Sequence, residues 1–415
     1  MSLYKNYSLL RFVLFSIILL PSFRVFPGFP SIRFDDIILL SWPFIFLMQN
    51  KLHIPRQSIL RAGLMLAFVF LLPFSILNGT VNGYESSFGD FNQIVRIFKY
   101  ISMYVISSVV LFYIDDFRMV RIIKFTIWCG IILLIISFFQ YFNLFNLNKY
   151  YVQIIAPTQY ETLLDDYPNP RPVGMIGNPN ELGFMFVILS IISLWCVFYF
   201  RARWYIFAFF LFFFGVLMTL SRGSMVALGS GLVVFFLIHS FHGGILSRIK
   251  ASLFIVILVS FLLSVAMIPQ IYEAYTWRFM NIFDMKNDIS FMTRVDNWSE
   301  NINIIKEHPV IGVGPLSRFD FEYAADNEWL LIWRRYGVIG VIITILFFLS
   351  TAYRRMTVPV RAMYAALVCS SFVYMVPSAV FHSLALFPIL LFLLAFVDVR
   401  GNFLRGDRRH IRDKA

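Results

Sequence analysis

Seven cations stand in or beside apolar stretches of this chain, where charge is expensive: Arg96, Lys99, Arg171, Arg222, Arg294, Arg334 and Arg335. Arg222 lies in "MTLSRGSMVALGSG", between a serine and a glycine at the junction of two hydrophobic runs. Ser221 and Gly223 allow close backbone approach, and a helix begins here whose N-terminus favours an anion. Arg171 precedes a Gly-Asn-Pro-Asn turn, and Arg294 opens an amphipathic segment. Arg96 and Lys99 are spaced i, i+3 and share a helix face. Asn327 and Arg334 are seven residues apart, as are Glu328 and Arg335, so each pair shares a face. Arginine grips phosphate through paired, charge-assisted hydrogen bonds. All seven fall at one expected depth, which points to a site for a phosphate-bearing lipid head group. Two other readings stand beside it. Arg96 and Lys99 could snorkel to head groups, and Arg222 could pair with a loop carboxylate.

The elements that must position these residues are membrane helices. The chain has 415 residues, 59% hydrophobic and 14% charged, with 49 phenylalanines. Soluble proteins carry about 25% charge. Apolar runs of about 20 residues recur along the length. We place twelve spans at 9–22, 36–49, 62–78, 94–113, 120–142, 181–200, 204–220, 224–240, 251–268, 328–350, 362–377 and 380–397. With the N-terminus in the cytoplasm, 21 of the 35 Lys and Arg fall inside and 10 outside, while 18 acidic residues fall outside and 5 inside. That asymmetry sets both termini in the cytoplasm. The net charge of +12 is therefore a topology signal rather than a nucleic-acid footprint. The basic tail reads as an anchor near anionic lipid. Cys129, Cys196 and Cys369 all lie in apolar runs and have no metal or disulfide spacing. The first apolar run shows no cleavage pattern and is expected to remain as a helix.

Non-membrane mass concentrates in two outer segments, 143–180 and 269–327. The organisation expected is helices over 1–268 with the loop at 143–180, a large outer loop at 269–327, and helices plus basic tail over 328–415. In "TRVDNWSENINIIKEHP" Thr293 can cap a helix and Asp296 sits three residues on. Val295, Trp298, Ile302 and Ile305 would share its apolar face, and Pro309 stops it. After Arg334 and Arg335 only Tyr336 to Ser350 is uninterrupted apolar chain. That is about 22 Å of helix against a ~30 Å hydrocarbon core, so both arginines belong near the outer boundary.

Four motifs now stand in order: "RPVGMIGNPNELGF", "LSRGSMVAL", "RVDNWSENINIIKEHPVIGVGPLSRF" and "DNEWLLIWRRYGVIGVI". Together they resemble the bacterial O-antigen ligase and polymerase family over about residues 171–345. The resemblance implies an all-α, polytopic, GT-C-like inner-membrane glycosyltransferase working at the periplasmic face. Its substrate would be a glycan on undecaprenyl pyrophosphate, with no nucleotide sugar, metal or other cofactor. Arg222 would be a pyrophosphate-binding arginine, with Arg294 and Arg96 as partners. Where ligases of the family resemble His-Asn, this chain has Asp326-Asn327, with Glu328 next. That departure favours a polymerase joining repeat units over a ligase acting on lipid A-core. A transporter for the lipid-linked glycan is a reading of another class, but no internal repeat supports it. For a displacement at an anomeric carbon, Arg222, Arg294, Arg96 and Lys99 would stabilise the leaving diphosphate. Asp326 or Glu328 would take the hydroxyl proton. Asp326 could instead serve only as a helix cap. Asn180 and Asn327 flank the proposed site, and His308 reads mainly as a turn residue. The expected partners are the lipid-linked glycan and membrane lipid, with a chain-length regulator protein as a further candidate and no nucleic acid.

Overall fold

A computed structural model describes residues 3–22, 32–47, 54–163, 170–200, 202–266, 289–316, 319, 326–352 and 356–401. Much of the outer segment 269–327 therefore lies outside the described residues, as does the basic tail. The described chain is helical, with fourteen α-helices and no strand element. They are α1 (Leu3–Leu19), α2 (Phe34–Leu47), α3 (Arg56–Val81), α4 (Asn92–Tyr113), α5 (Asp116–Tyr141), α6 (Asn148–Ile155), α7 (Pro179–Phe200), α8 (Trp204–Met218), α9 (Arg222–His242), α10 (Ile245–Ala266), α11 (Ile289–Glu307), α12 (Glu328–Leu349), α13 (Val358–Tyr374) and α14 (Leu386–Arg400). Each of the twelve expected spans coincides with one of them; α6 and α11 are the extra two. Six helices among the described residues are long and apolar enough to cross a membrane. The protein is a polytopic, all-α membrane protein.

The core is a bundle of α7, α8, α9, α13 and α14 with α1, α3, α4 and α5. Small residues set its tightest seam. Along α9, Gly223, Ala227 and Gly231 recur every four residues and face α13. Added Cβ atoms would meet Pro377 at Gly223 and Ser370 at Gly231. Ser370 Oγ also donates to the Ala227 carbonyl at 2.7 Å. This is the small-residue packing that lets membrane helices approach closely. On the other side of α9, Gly183 of α7 leaves room for Thr219 and Ser224.

Charge inside the bundle is paired at both ends. At the end holding the start of α3 and the end of α14, Arg61 binds Asp398 at 3.0 Å and Thr351 at 2.9 Å, and Tyr104 also donates to Asp398. Arg400 there donates to the Leu111 carbonyl and meets Asp116 at 3.3 Å. At the opposite end Arg33 binds Asp35 at 3.2 Å and donates to the carbonyls of Ser16, Ile17 and Leu20.

α12 is broken at Gly337, whose φ is +66°. The loop after α11 docks into the break. Val313 and Gly314 N–H groups donate to the Arg334 and Arg335 carbonyls at 2.9 and 3.1 Å, and Val338 N–H donates to the Pro309 carbonyl at 2.9 Å. Backbone polar groups opened by a break in a membrane helix need such partners. The Gly-x-Gly motif is the fitted half of this joint: Gly312 and Gly314 have φ of +77° and +82°. Ser75 and Asn78 of α3 hold the Ile311 and Gly312 carbonyls from behind. A Cβ on Gly337 would strike the Val310 carbonyl. Gly337→Ala should therefore destabilise the protein by more than the ~1–2 kcal/mol that a left-handed backbone alone costs. Thermal unfolding in detergent checks this; an unchanged melting temperature would show that the joint is soft.

The structure changes two readings of α11. Thr293 lies inside the helix rather than capping it, because helical backbone already runs from Ile289. The inward face is Asn301, Ile304 and Ile305, while Val295 and Ile302 stay exposed. The cause is polar. Asn301 Oδ1 accepts from Arg334 at 2.8 Å, which turns the helix to bring that amide inward. Glu307 ends the helix two residues before Pro309, as expected.

Candidate active site

Two cavities adjoin at one end of the bundle, sharing the loop between α13 and α14. The first is small, about 80 Å³, and polar. Arg171, Asn180, Ser221, Arg222, Gly223, Arg294, Tyr374, Pro377 and Ser378 line it. Three of these are arginines from three separate elements, and none is a carboxylate.

Each arginine has a local reason for its place. Arg222 is the first residue of α9; Ser221 caps that helix, its Oγ accepting from Ser224 N–H at 3.4 Å. Leu220, at φ +50°, turns the chain sharply before the cap. The helix start anticipated in the sequence thus presents Arg222 at a positive helix end. Arg171 precedes a turn held by Gln140 of α5, whose Oε1 accepts from Val173 and Gly174 N–H at 3.0 and 2.7 Å. Its guanidinium donates to the Thr219 carbonyl at 3.0 Å and to Asn180 Oδ1 at 2.7 Å. Asn178 caps α7 through its own Oδ1, so the Asn-Pro-Asn turn starts a helix and supplies a clamp for Arg171. Arg294 reaches in from α11 and pairs with Asp326 at 3.3 Å; Asp326 is 56% exposed. Asp326 is not the cap of α12. That role belongs to Asn327, whose Oδ1 accepts from Leu330 N–H at 3.1 Å.

The second cavity lies between α3, α4 and α12 under the α13–α14 loop. Its walls are largely aromatic and aliphatic, and its polar lining is Gln93, Arg96, Tyr100, Glu328, Arg335 and His382. Glu328 is fully buried and both carboxylate oxygens are engaged: Oε1 by His382 Nδ1 at 2.8 Å and Oε2 by Phe381 N–H at 2.9 Å. Arg335 meets the other ring nitrogen of His382, Nε2. The shared face of Glu328 and Arg335 is real, and an imidazole spans it. The loop is fixed further by Tyr100 Oη, donating to the Phe381 carbonyl at 2.7 Å, and by Ser383 Oγ, donating to Glu181. His382 had no place among the sequence candidates. Its signal is a lone polar pair, His382 and Ser383, within a span expected to be continuous from 380. The helix starts only at Leu386.

The remaining residues separate. Lys99 does not line the Arg96 cavity and is buried against Asp35 at 3.0 Å and Asp36. Arg334 is buried, holding Asn301 and the Pro315 carbonyl at 2.9 Å. His308 follows α11 directly, its ring edge-on to Tyr84 at 5.7 Å. No group of three or more His, Cys, Asp or Glu with metal-binding geometry occurs among the described residues.

Fold and site together define a polytopic membrane protein with a cationic pocket at one end of its bundle. Residues 207–345, about a third of the chain, match the family described as O-antigen ligase. The match contains Arg222, Arg294, Asp326 and Glu328, but not Arg171, Arg96 or His382. No curated protein matches the chain significantly. The chain is thus similar to the O-antigen ligase family over that stretch, and its long apolar helices make it an integral membrane protein.

Proposed function

We propose that this protein polymerises oligosaccharide repeat units carried on undecaprenyl pyrophosphate, at the periplasmic face of the inner membrane. One observation supports it most: Arg171, Arg222 and Arg294 converge from three elements on one cavity at a helix N-terminus. Three cations beside a helix N-terminus, one of them already holding Asp326, favour an anion of more than one charge. A diphosphate fits that demand. The reaction is displacement at the anomeric carbon. The acceptor oxygen forms the new bond to carbon, and the bond to the diphosphate oxygen breaks with its electron pair leaving on the diphosphate. Cations already in place stabilise that charge without reorganising. Asp326 holds Arg294 at the rim until the diphosphate arrives. Arg96, outside this cavity, would help position the acceptor. Lys99 and Arg334 hold the scaffold through the partners described above.

The periplasmic assignment rests on the inside excess of Lys and Arg, since the three arginines of the first cavity come from the helix ends and loops away from Arg61 and Asp398. The assay that tests the proposal supplies purified protein with a lipid-linked repeat unit as donor and two acceptors in turn. The expected product is a ladder of lengthened glycans with the repeat unit as acceptor and none with lipid A-core. Transfer to lipid A-core alone would make the protein a ligase. Gradient-driven movement without a new covalent product would make it a carrier.

A further inference from the structure

Building on the transferase reading above, we infer that His382, oriented by Glu328, is the base that takes the proton from the acceptor hydroxyl. The geometry eliminates other groups first. Glu328 has both oxygens engaged and is fully buried, so it orients rather than accepts. Asp326 is paired to Arg294 at the neighbouring cavity, on the diphosphate side of the site. His382 remains, and its surroundings are those of an oriented imidazole. Nδ1–H donates to Glu328, which leaves Nε2 as the basic nitrogen and gives a carboxylate to stabilise the imidazolium once formed. The side chain is 23% exposed, so a hydroxyl can reach it. Ser378 of the same loop lines the diphosphate cavity, so one short segment links the two halves of the site.

Arg335 now occupies Nε2. The acceptor hydroxyl displaces it and takes its hydrogen-bond position. The proton then moves from the hydroxyl oxygen to Nε2 as that oxygen bonds to the anomeric carbon and the diphosphate departs. Solvent takes the proton back from the imidazolium. Before binding, Arg335 serves as a placeholder that keeps Nε2 unprotonated. Burial and the Arg335 charge together hold the imidazole below its ordinary value of 6.5, against the pull of Glu328. The other charged or titratable groups facing it are Arg96 and Tyr100 of α4 and Tyr336 of α12, with Glu181 of α7 behind Ser383.

The test uses purified full-length protein, a lipid-linked repeat unit, and rates from pH 5 to 9. Wild type should run level above the ordinary imidazole value and fall in acid, as Nε2 takes up a proton. His382→Gln keeps both polar positions but cannot serve as a base. It should lose about 100-fold or more in kcat, the lower range of general-base contributions, and lose the acid limb. Imidazole in the buffer should restore part of the rate of His382→Ala. Glu328→Gln removes the neighbouring negative charge and should move the acid limb to lower pH. Asp326→Asn should slow the enzyme yet keep the limb. A His382→Gln protein within threefold of wild type, or one that keeps the acid limb, overturns the inference while leaving the transferase reading intact. A wild-type protein that forms no glycosidic product overturns both.

Discussion

Replacing Arg222 with alanine is expected to abolish long polymer in cells while leaving the protein at its normal level in the membrane. The two halves of that expectation have separate causes. Arg222 is half-buried, at the first position of α9, and the cap there is the Ser221 side chain, which the substitution leaves in place. Folding therefore loses little. Chemistry loses a cation aimed at the point where charge develops. Removing one such transition-state donor typically lowers the rate by about 10²–10³, or about 2.7–4 kcal/mol. Arg222→Lys tests the kind of contact. Lysine keeps the charge but offers no planar fork, so a site that needs paired hydrogen bonds should remain strongly impaired. Near-complete rescue by lysine would mean a diffuse electrostatic role. Gel analysis of polymer length, normalised to protein level, reads all three variants. Wild-type polymer from Arg222→Ala at normal expression would remove the central residue from the mechanism.

The bundle was legible in the sequence because membrane helices announce themselves by length and hydropathy. The helix ends were not, and the ends carry the site. Apolar periodicity stops where polar side chains begin, but helical hydrogen bonding does not. So α3 starts at Arg56 rather than 62, and α14 runs to Arg400 rather than 397. Arg61 and Asp398 were thus assigned to loops although the structure buries them face to face. The convergence of Arg171, Arg222 and Arg294 was readable from a common depth, since turn and cap motifs fix local geometry. Lys99 shared that depth and a face with Arg96, yet lies against Asp35 and Asp36 on α2. Depth cannot distinguish which neighbour a helix face meets. The broken α12 was half visible. Its glycine was noted as part of a motif, but the loop that fills the break arrives from 23 or more residues upstream. His382 stayed hidden because its partners, Glu328 and Arg335, are 54 and 47 positions away in sequence.

The largest expected effect on stability lies at the other end of the bundle, at Asp398. This carboxylate is 4% exposed and accepts from Arg61 Nε and from Tyr104 Oη; Arg61 is 1% exposed. Asp398→Ala would leave a buried guanidinium with Thr351 as its remaining described hydrogen-bond partner. Breaking one side of a buried pair costs about 3–5 kcal/mol, because the surviving charge has neither water nor counter-charge. The single variant should unfold at markedly lower temperature in detergent or fail to accumulate. Arg61→Met alone should be milder: it leaves Asp398 with Tyr104, and a carboxylate can take up a proton where a guanidinium cannot readily lose one. The decisive variant is the double one. Arg61→Met with Asp398→Leu removes both charges and fills the space with apolar atoms, so it should recover most of the loss. A double variant no more stable than Asp398→Ala would show that the polar network itself holds α3 against α14, beyond neutralising charge. The same double variant separates scaffold from chemistry at the arginine cavity, which shares no lining residue with this network, whereas Phe347 lines the second cavity and lies 5.1 Å from Arg61. It should retain transfer activity, and a folded double variant without activity would mean that the two ends of the bundle are coupled.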